Sequence, residues 1–600
     1  MRLNPVYFLM LLFFVASQTK AATNITTPEV SGTWTLSGSP YKIYNDITLP
    51  IGASLTIEPG VEIAFMGHYT FGIYGSIQAI GTEEQRIIFR ANDTLNWNNF
   101  TVVDGGWKGM FVNFYGSANL PFPRFEYCTF RDVKAFNNNA FILDYKVMNI
   151  SNCIFQNNYA ASDVISLKSY GNGIRSKLHF IDNQLYNNHG GGVLTTLFTD
   201  SSWVIGNKFF ENYVENSVYV KNCANDTSNH VLLFHDNDVY NNNISGERPV
   251  VATSAGGDDY IVNNRIAYNS SILQGAVSVS SKKALIDRNL IVNNRREQKG
   301  GYVCGVNDGG AGLHLLGQIV LTDLPNTNIY TVSNNIIANN YSDLNGAGIW
   351  AQHCKVNIVN NTIVNNLSQE RGAAIHAAGG NCSATVHNNI IQGNRMMNSD
   401  TSYNVFNFSP LMQHVRVTNN LIDYRYTFAP NNVIGLDSNL YKPQMELSNP
   451  TPDAGHYYDA TVADFGPTAQ SNSIINQGDN ALIGYGTLDF LGNPRIAGAS
   501  IDMGAIELIS GTNIRNIGAE DNISIYPVPA NGSLWLDNTG NSKISGIRMF
   551  LLNGQELAVA TSLIGDKYHL YFPSAAGGKY VLHIQFVDGK HAVKTFINIK

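Results

Sequence analysis

The chain has 600 residues, of which 44% are hydrophobic and only 14% charged, with a formal net charge of −7. That length holds two or three domains, and the mild acidity excludes the basic footprint of a nucleic-acid binder. Past the N-terminal region no apolar run approaches the ~20 residues of a membrane span, so no transmembrane segment is expected in the mature chain.

Residues 1–22 read as an export signal. Arg2 precedes an apolar run from Val6 to Ala16, and Ser-Gln-Thr-Lys-Ala-Ala follows. A charged start, a short apolar core and small residues at the end describe a secretory signal peptide. The mature protein is expected to begin near Ala22 and to be secreted or held at the cell surface.

Residues 31–115 open the next unit with short strands between Pro/Gly turns, as in Ile47-Thr-Leu-Pro-Ile-Gly-Ala-Ser-Leu-Thr-Ile-Glu-Pro-Gly. One phrase then recurs, an Asn with short apolar pairs around it: Ser151-Asn152-Cys-Ile-Phe-Gln-Asn-Asn, Asp182-Asn183-Gln-Leu-Tyr-Asn-Asn, Asn360-Asn361-Thr-Ile-Val-Asn-Asn. Its anchors are Asn152, Asn183, Asn207, Asn237, Asn264, Asn289, Asn335, Asn361, Asn389 and Asn420, so the steps are 31, 24, 30, 27, 25, 46, 26, 28 and 31. Strand-length apolar pairs at such a period mark a parallel β-solenoid. Asn tolerates the left-handed backbone region, so it serves as the corner between strands. Coil on coil, the Asn side chains from Asn183 to Asn389 are expected to stack about 4.8 Å apart, each amide donating to the next.

Cys128 and Cys153, one coil apart in Glu-Tyr-Cys-Thr-Phe and Ser-Asn-Cys-Ile-Phe, occupy equivalent slots. Stacked at the strand spacing they fall within reach of a disulfide, and buried free thiols are the alternative.

The opening segment, with Ile73-Tyr-Gly-Ser-Ile-Gln-Ala-Ile and Trp107-Lys-Gly-Met-Phe, resembles the first coils of secreted bacterial right-handed parallel β-helix proteins of the pectate-lyase-like fold. The resemblance runs to about residue 508 and ends in Asp489-Phe-Leu-Gly-Asn-Pro-Arg-Ile and Ile501-Asp-Met-Gly-Ala-Ile-Glu, similar to the closing segment of many such surface proteins. It implies a right-handed β-helix of about 12 coils over 23–508, and little about chemistry. After a polar linker at 509–521 the Asn period stops. Residues 522–600 alternate like a small Ig-like β-sandwich, and Tyr526-Pro-Val-Pro-Ala with Gly578-Lys-Tyr-Val-Leu-His-Ile resembles a type IX secretion C-terminal sorting domain. Val528 stands where that motif usually has Asn. The resemblance implies the type IX secretion machinery as a partner and removal of residues beyond about 515.

The catalytic sets of β-helix glycosidases are not recognisable: Asp258-Asp259 stands alone, and His189 is followed by three glycines but lacks the preceding one. No cofactor is expected, and no calcium-ligand or other metal-ligand spacing is evident. A second pattern stands out. Gly310-Ala-Gly-Leu-His314, Gly346-Ala-Gly-Ile-Trp350 and Gly372-Ala-Ala-Ile-His376 open equivalent strands. If Leu313, Ile349 and Ile375 face the core, His314, Trp350 and His376 turn outward and form an exposed row. Asp308, Glu370 and Arg371 flank it, and the 46-residue step places an inserted loop beside it. Such a row suits sugar stacking with hydrogen bonding. Two functions remain open: a surface protein binding extracellular polysaccharide or a surface partner, and a polysaccharide lyase or glycoside hydrolase acting on a uronate-rich glycan. The missing catalytic set favours the first.

Overall fold

The computed structural model describes residues 22–598 apart from 298–308, 318–327, 423–432, 435–464 and 510–522 and shorter stretches, the longest being 115–119, 169–175, 223–229, 398–405 and 483–487. The proposed signal peptide and most of the linker lie outside the described residues. From Thr23 to Ile434 the chain winds as an all-β parallel β-helix of about 12 turns. Three parallel walls result, wall one of 16 strands, wall three of 14, and wall two between them.

One coil shows how the sequence makes the turn. Lys355–Val359 lies in wall three, Thr362–Val364 in wall one, and Leu367–Ser368 followed by Ile375–Ala378 in wall two. The strands of wall one are mostly three residues long because a corner closes each end. Their central residues, Leu185, Phe209, Val239, Ile266, Ile291, Ile337, Ile363 and Ile391, stack in register and are fully buried. That apolar column joins those of the other two walls in one continuous core, whose burial drives the fold.

Each corner divides its work between two residues. The left-handed conformation belongs to the residue before the anchoring Asn: Asp182, Asp236, Asn263, Arg288, Asn334, Asn360 and Asn388 have φ between 53° and 57°. The following residue turns its side chain inward. Asn183, Asn207, Asn237, Asn264, Asn289, Asn335, Asn361 and Asn389 form one buried column running on to Asn420, each Nδ2 donating to the next Oδ1 at 2.8–3.0 Å. Each Oδ1 also accepts the backbone N–H of the Asn below it, as Asn289 Oδ1 does from Asn264 at 2.9 Å. The column crosses the 46-residue step unbroken, with Asn289 bonded to Asn335. Asn152 is a correction: it holds the left-handed position at φ 53°, and Cys153 occupies the ladder slot, donating its N–H to Asn183 Oδ1 at 2.8 Å.

A second amide column, which the sequence reading did not separate, lines the far corner of wall one. Asn158, Asn188, Asn212, Asn242, Asn269, Asn294, Asn340, Asn366 and Asn394 bond at 2.9–3.1 Å. Its members stand five residues after the first-column slot, the length of a three-residue strand plus one left-handed residue.

Cys128 and Cys153 are free thiols and not a disulfide, and both sulfurs make backbone contacts. Cys153 Sγ lies 3.4 Å from the Cys128 N–H in the ladder's acceptor role, and donates to Ser151 O at 3.2 Å; Cys128 Sγ donates to Ala79 O at 3.4 Å. All four described cysteines are free and buried.

The closing segment, 465–508, covers the outer face of wall one on the late coils. There Ala267, Val292, Ile336, Ala338, Val364, Ile390 and Leu421 pack against Phe465, Ile474, Met503, Ala505 and Ile506. A dry polar cluster shapes the segment. Asp489 accepts from the N–H groups of Asn493 and Glu507, Asp502 from those of Asn476 and Leu508, and Arg495 Nη2 reaches Asp502 O at 2.8 Å. Burial pushes Glu507 up to about 7, against the pull of backbone N–H groups and Arg495. The Asp489, Arg495, Asp502 and Glu507 of the sequence are therefore scaffold residues. The C-terminal unit has two four-stranded antiparallel sheets that share an apolar cluster including Leu534, Leu536, Met549, Leu582 and Ile584.

Candidate functional site

The row expected from the three Gly-led strands exists, but it is not a surface. His314, Trp350 and His376 pair in register on wall two. Their rings stack at 4.4 and 6.3 Å with planes 5° and 2° from parallel. They point away from the solenoid core, as the period-2 rule required, yet their exposures are 1%, 0% and 7%. The exposed platform is thus corrected to a buried stack. The Gly-rich turns close over it: a Cβ on Gly309 would lie 2.6 Å from Trp350 Cδ1, and one on Gly346 2.9 Å from Trp350 Cβ. The stack is bracketed by Ser278 Oγ, 2.9 Å from His314 Nδ1, and Asn407 Nδ2, 2.9 Å from His376 Nδ1. Burial lowers His376 to about 4, with Arg371 adding a smaller push the same way.

Of the flanking residues, Glu370 and Arg371 are exposed on the turn before Ile375, tied to Asn345 through Glu370 Oε2 and the Arg371 N–H. Asp308 lies outside the described residues. Asp258 faces outward, half-buried, whereas Asp259 turns into the core and pairs with Lys221.

The aromatic surface lies elsewhere on wall two, on the first short strand of successive coils. Tyr159, His189 and Tyr213 occupy one outward row. Residues 92–106 fold over its beginning. Buried Lys134 pins them, its Nζ donating to Asn96 O at 2.7 Å and Asp104 O at 2.6 Å. Phe100 then stacks on Tyr159 at 4.0 Å, and Trp97 meets Phe100 and His189 edge-on at 6.2 and 5.7 Å. His189 stacks on Tyr213 at 5.4 Å. At the other end Phe136 lies 6.1 Å from both Tyr159 and His68.

Beside Phe136 opens a cavity of about 410 Å³ lined by His68, Lys108, Phe136 and the amides of Asn137, Asn138 and Asn139, among others. Desolvation lowers both His68 and His189, so both imidazoles are neutral at neutral pH and can donate or accept.

In-register rings occupy each other's faces and show their edges to water, so only an end ring offers a face. Tyr213 is such a ring, 51% exposed, with His189 on one side and the short Asn243 on the other. The row continues through Ser270 to Arg295, which lies over Tyr341 at 5.2 Å and is paired with Glu297 at 2.6 Å. On wall one, Tyr186, Phe210 and Tyr240 also stack, but Arg265 covers the end of that stack, 4.8 Å from the Tyr240 centroid. The sequence signal for the accessible row was the outward slot shared by Tyr159, His189 and Tyr213; what folds over it from 92–106 carried none.

Among the described residues no group of three His, Cys, Asp or Glu could hold a metal ion, and no helix is long and apolar enough to cross a membrane. Fold and site together define a parallel β-helix with a half-open aromatic stripe and a polar pocket on one wall.

No family model matches the chain. It is similar over 74 residues, at 38% identity, to Protein bark beetle of Drosophila melanogaster. Those residues make up 12% of this chain and 2% of that protein.

Proposed function

We propose that this is an exported surface protein whose β-helix binds extracellular polysaccharide through the stripe running from His68 and Phe136 to Tyr213. One observation carries the reading: half-exposed aromatic rings run continuously across several coils beside a cavity walled by amides, an imidazole and a lysine. Sugars present C–H faces that pack on aromatic rings and hydroxyls that need paired donors and acceptors. A pyranose stacked on Tyr213 lies parallel to that ring, so the glycan crosses the wall over Asn243 and Ser270.

A right-handed pectate-lyase-like helix, a signal peptide in residues 1–22 and an Ig-like type IX sorting domain in 522–600 complete the reading, on the motifs quoted above. The lyase or hydrolase alternative is weaker: Asp259 is turned into the core, and the His314 to His376 stack is out of a substrate's reach. The test is binding of the purified protein to a panel of neutral and uronate-rich polysaccharides, by calorimetry and by absorbance at 235 nm. Saturable binding without chain cleavage is the expected result; no binding to any member overturns it.

A further inference from the structure

Lys221 and Asp259 sit where the fold elsewhere puts hydrocarbon. Lys221 lies on the strand Tyr219–Asn222 of wall two, in register with Thr253 and then Val279. Asp259 lies on Asp258–Val262 of wall three, between Leu232 and Ala284 of the neighbouring coils. Leu232, Ala284 and Val279 are core residues, and Tyr219 and Val251 beside them are fully buried.

The side chains of Lys221 and Asp259 are 1% and 0% exposed and touch, Nζ to Oδ1. Nζ also reaches Gly256 O at 3.1 Å, and apart from Lys221 only the Thr253 and Ser281 hydroxyls assist the Asp259 carboxyl, neither in good hydrogen-bond geometry to the buried Oδ2.

An ion pair this dry is expensive, because desolvation costs several kcal/mol for each ion. Burial raises the Asp259 carboxyl above the usual carboxylate range, against the pull of Lys221, which favours the protonated acid. The other water-excluded cations are not equivalent. Arg296, paired with Asp343, and Arg495 carry guanidinium groups that stay protonated and are poor nucleophiles. Lys134 reaches only backbone carbonyls with its Nζ. Among the described residues, Lys221 is the buried primary amine held against a buried carboxyl.

We propose that Lys221 and Asp259 condense to an intramolecular amide that staples two successive coils across the corner between walls two and three. After proton transfer inside the pair, the neutral Nζ attacks Cγ of the protonated carboxyl. The C–N bond forms and the C–OH bond breaks, and hydroxyl plus one amine proton leave as water. No oxidant or cofactor is needed. The product is uncharged and loses the desolvation penalty of the pair.

The experiment is intact-mass measurement of the purified, denatured full chain, with peptide mapping. The parent is expected to be lighter than its sequence mass by about 18 Da, one water, and to yield a peptide joining residues 221 and 259. Lys221→Arg keeps the charge but cannot condense, and Asp259→Ala removes the carboxyl; both are expected at full mass. Lys221→Arg, checked as folded by circular dichroism, should melt at a lower temperature than the parent. A folded parent at full mass overturns the proposal. So does a deficit that persists in Lys221→Arg, because the water would then have left elsewhere, as by succinimide formation.

Discussion

The imidazole of His314 lies 4.4 Å from the indole of Trp350 in the next coil, 5° from parallel, and the indole is wholly removed from water. Trp350 therefore works as packing. Trp350→Ala is expected to cost about 3–5 kcal/mol in urea unfolding, as for other buried aromatic truncations. Trp350→Phe should cost far less, since Trp350 Nε1 is a buried donor without a partner and the ring is what the stack needs.

The amide columns are the most vulnerable polar element. Asn289→Ala would strand the Asn264 N–H and Nδ2 donors, both of which reach Asn289 Oδ1 at 2.9 Å. A loss of about 2–3 kcal/mol in thermal unfolding is expected. Asn289→Asp keeps those acceptors but puts a charge into a dry column and faces Asn335 Oδ1 with no donor. Its destabilisation should exceed that of the Ala variant at pH 7 and shrink on acidification.

His376 should contribute less to the stability of the helix as pH falls from 6.5 to 4. His376 is held at about 4 in the fold against 6.5 when free, so the unfolded chain takes up the proton first. Its stabilisation is complete above 6.5 and disappears as pH falls through 4, on the order of 3 kcal/mol. His179, also lowered to about 4, acts in the same direction. Glu507, raised to about 7, opposes them: its contribution is full in acid and is lost as pH rises through 7. Comparing the pH dependence of the melting temperature of His376→Gln with the parent isolates the histidine, and the variant's slope below 6.5 should flatten.

Arg495 holds the closing segment. Removing it as Arg495→Met leaves Asp489, Asp502 and Glu507, all at most 3% exposed, without their cation. A loss of about 3–5 kcal/mol is expected, and limited proteolysis should then cut within 465–508 before the coils.

Glycan affinity should depend on which ring faces are open. Tyr213→Ala is expected to weaken polysaccharide binding about five-fold, the equivalent of about 1 kcal/mol of ring stacking. Tyr240→Ala should leave it unchanged, because Phe210 and Arg265 take the faces of that ring. Calorimetry on both variants distinguishes the stripe from nonspecific adhesion.

The sequence by itself determined whatever depends on repetition. Apolar residues at strand length between Asn corners make a coil, and stacking coils requires the amide column from Asn183 to Asn389, because any other register would bury unpaired amides. It also placed His314, Trp350 and His376 on equivalent strands of successive coils and turned them away from the core. Tertiary structure decided what lay over them. Period-2 alternation fixes a side chain's direction relative to its own strand, whereas exposure depends on segments distant in sequence. The turns around Gly309 and Gly346 closed over Trp350, residues 92–106 added Trp97 and Phe100 to the aromatic stripe, and 465–508 covered the late coils of wall one. Equivalent slots stacked Cys128 and Cys153 in successive coils, where both are free, buried thiols hydrogen-bonded to backbone carbonyls.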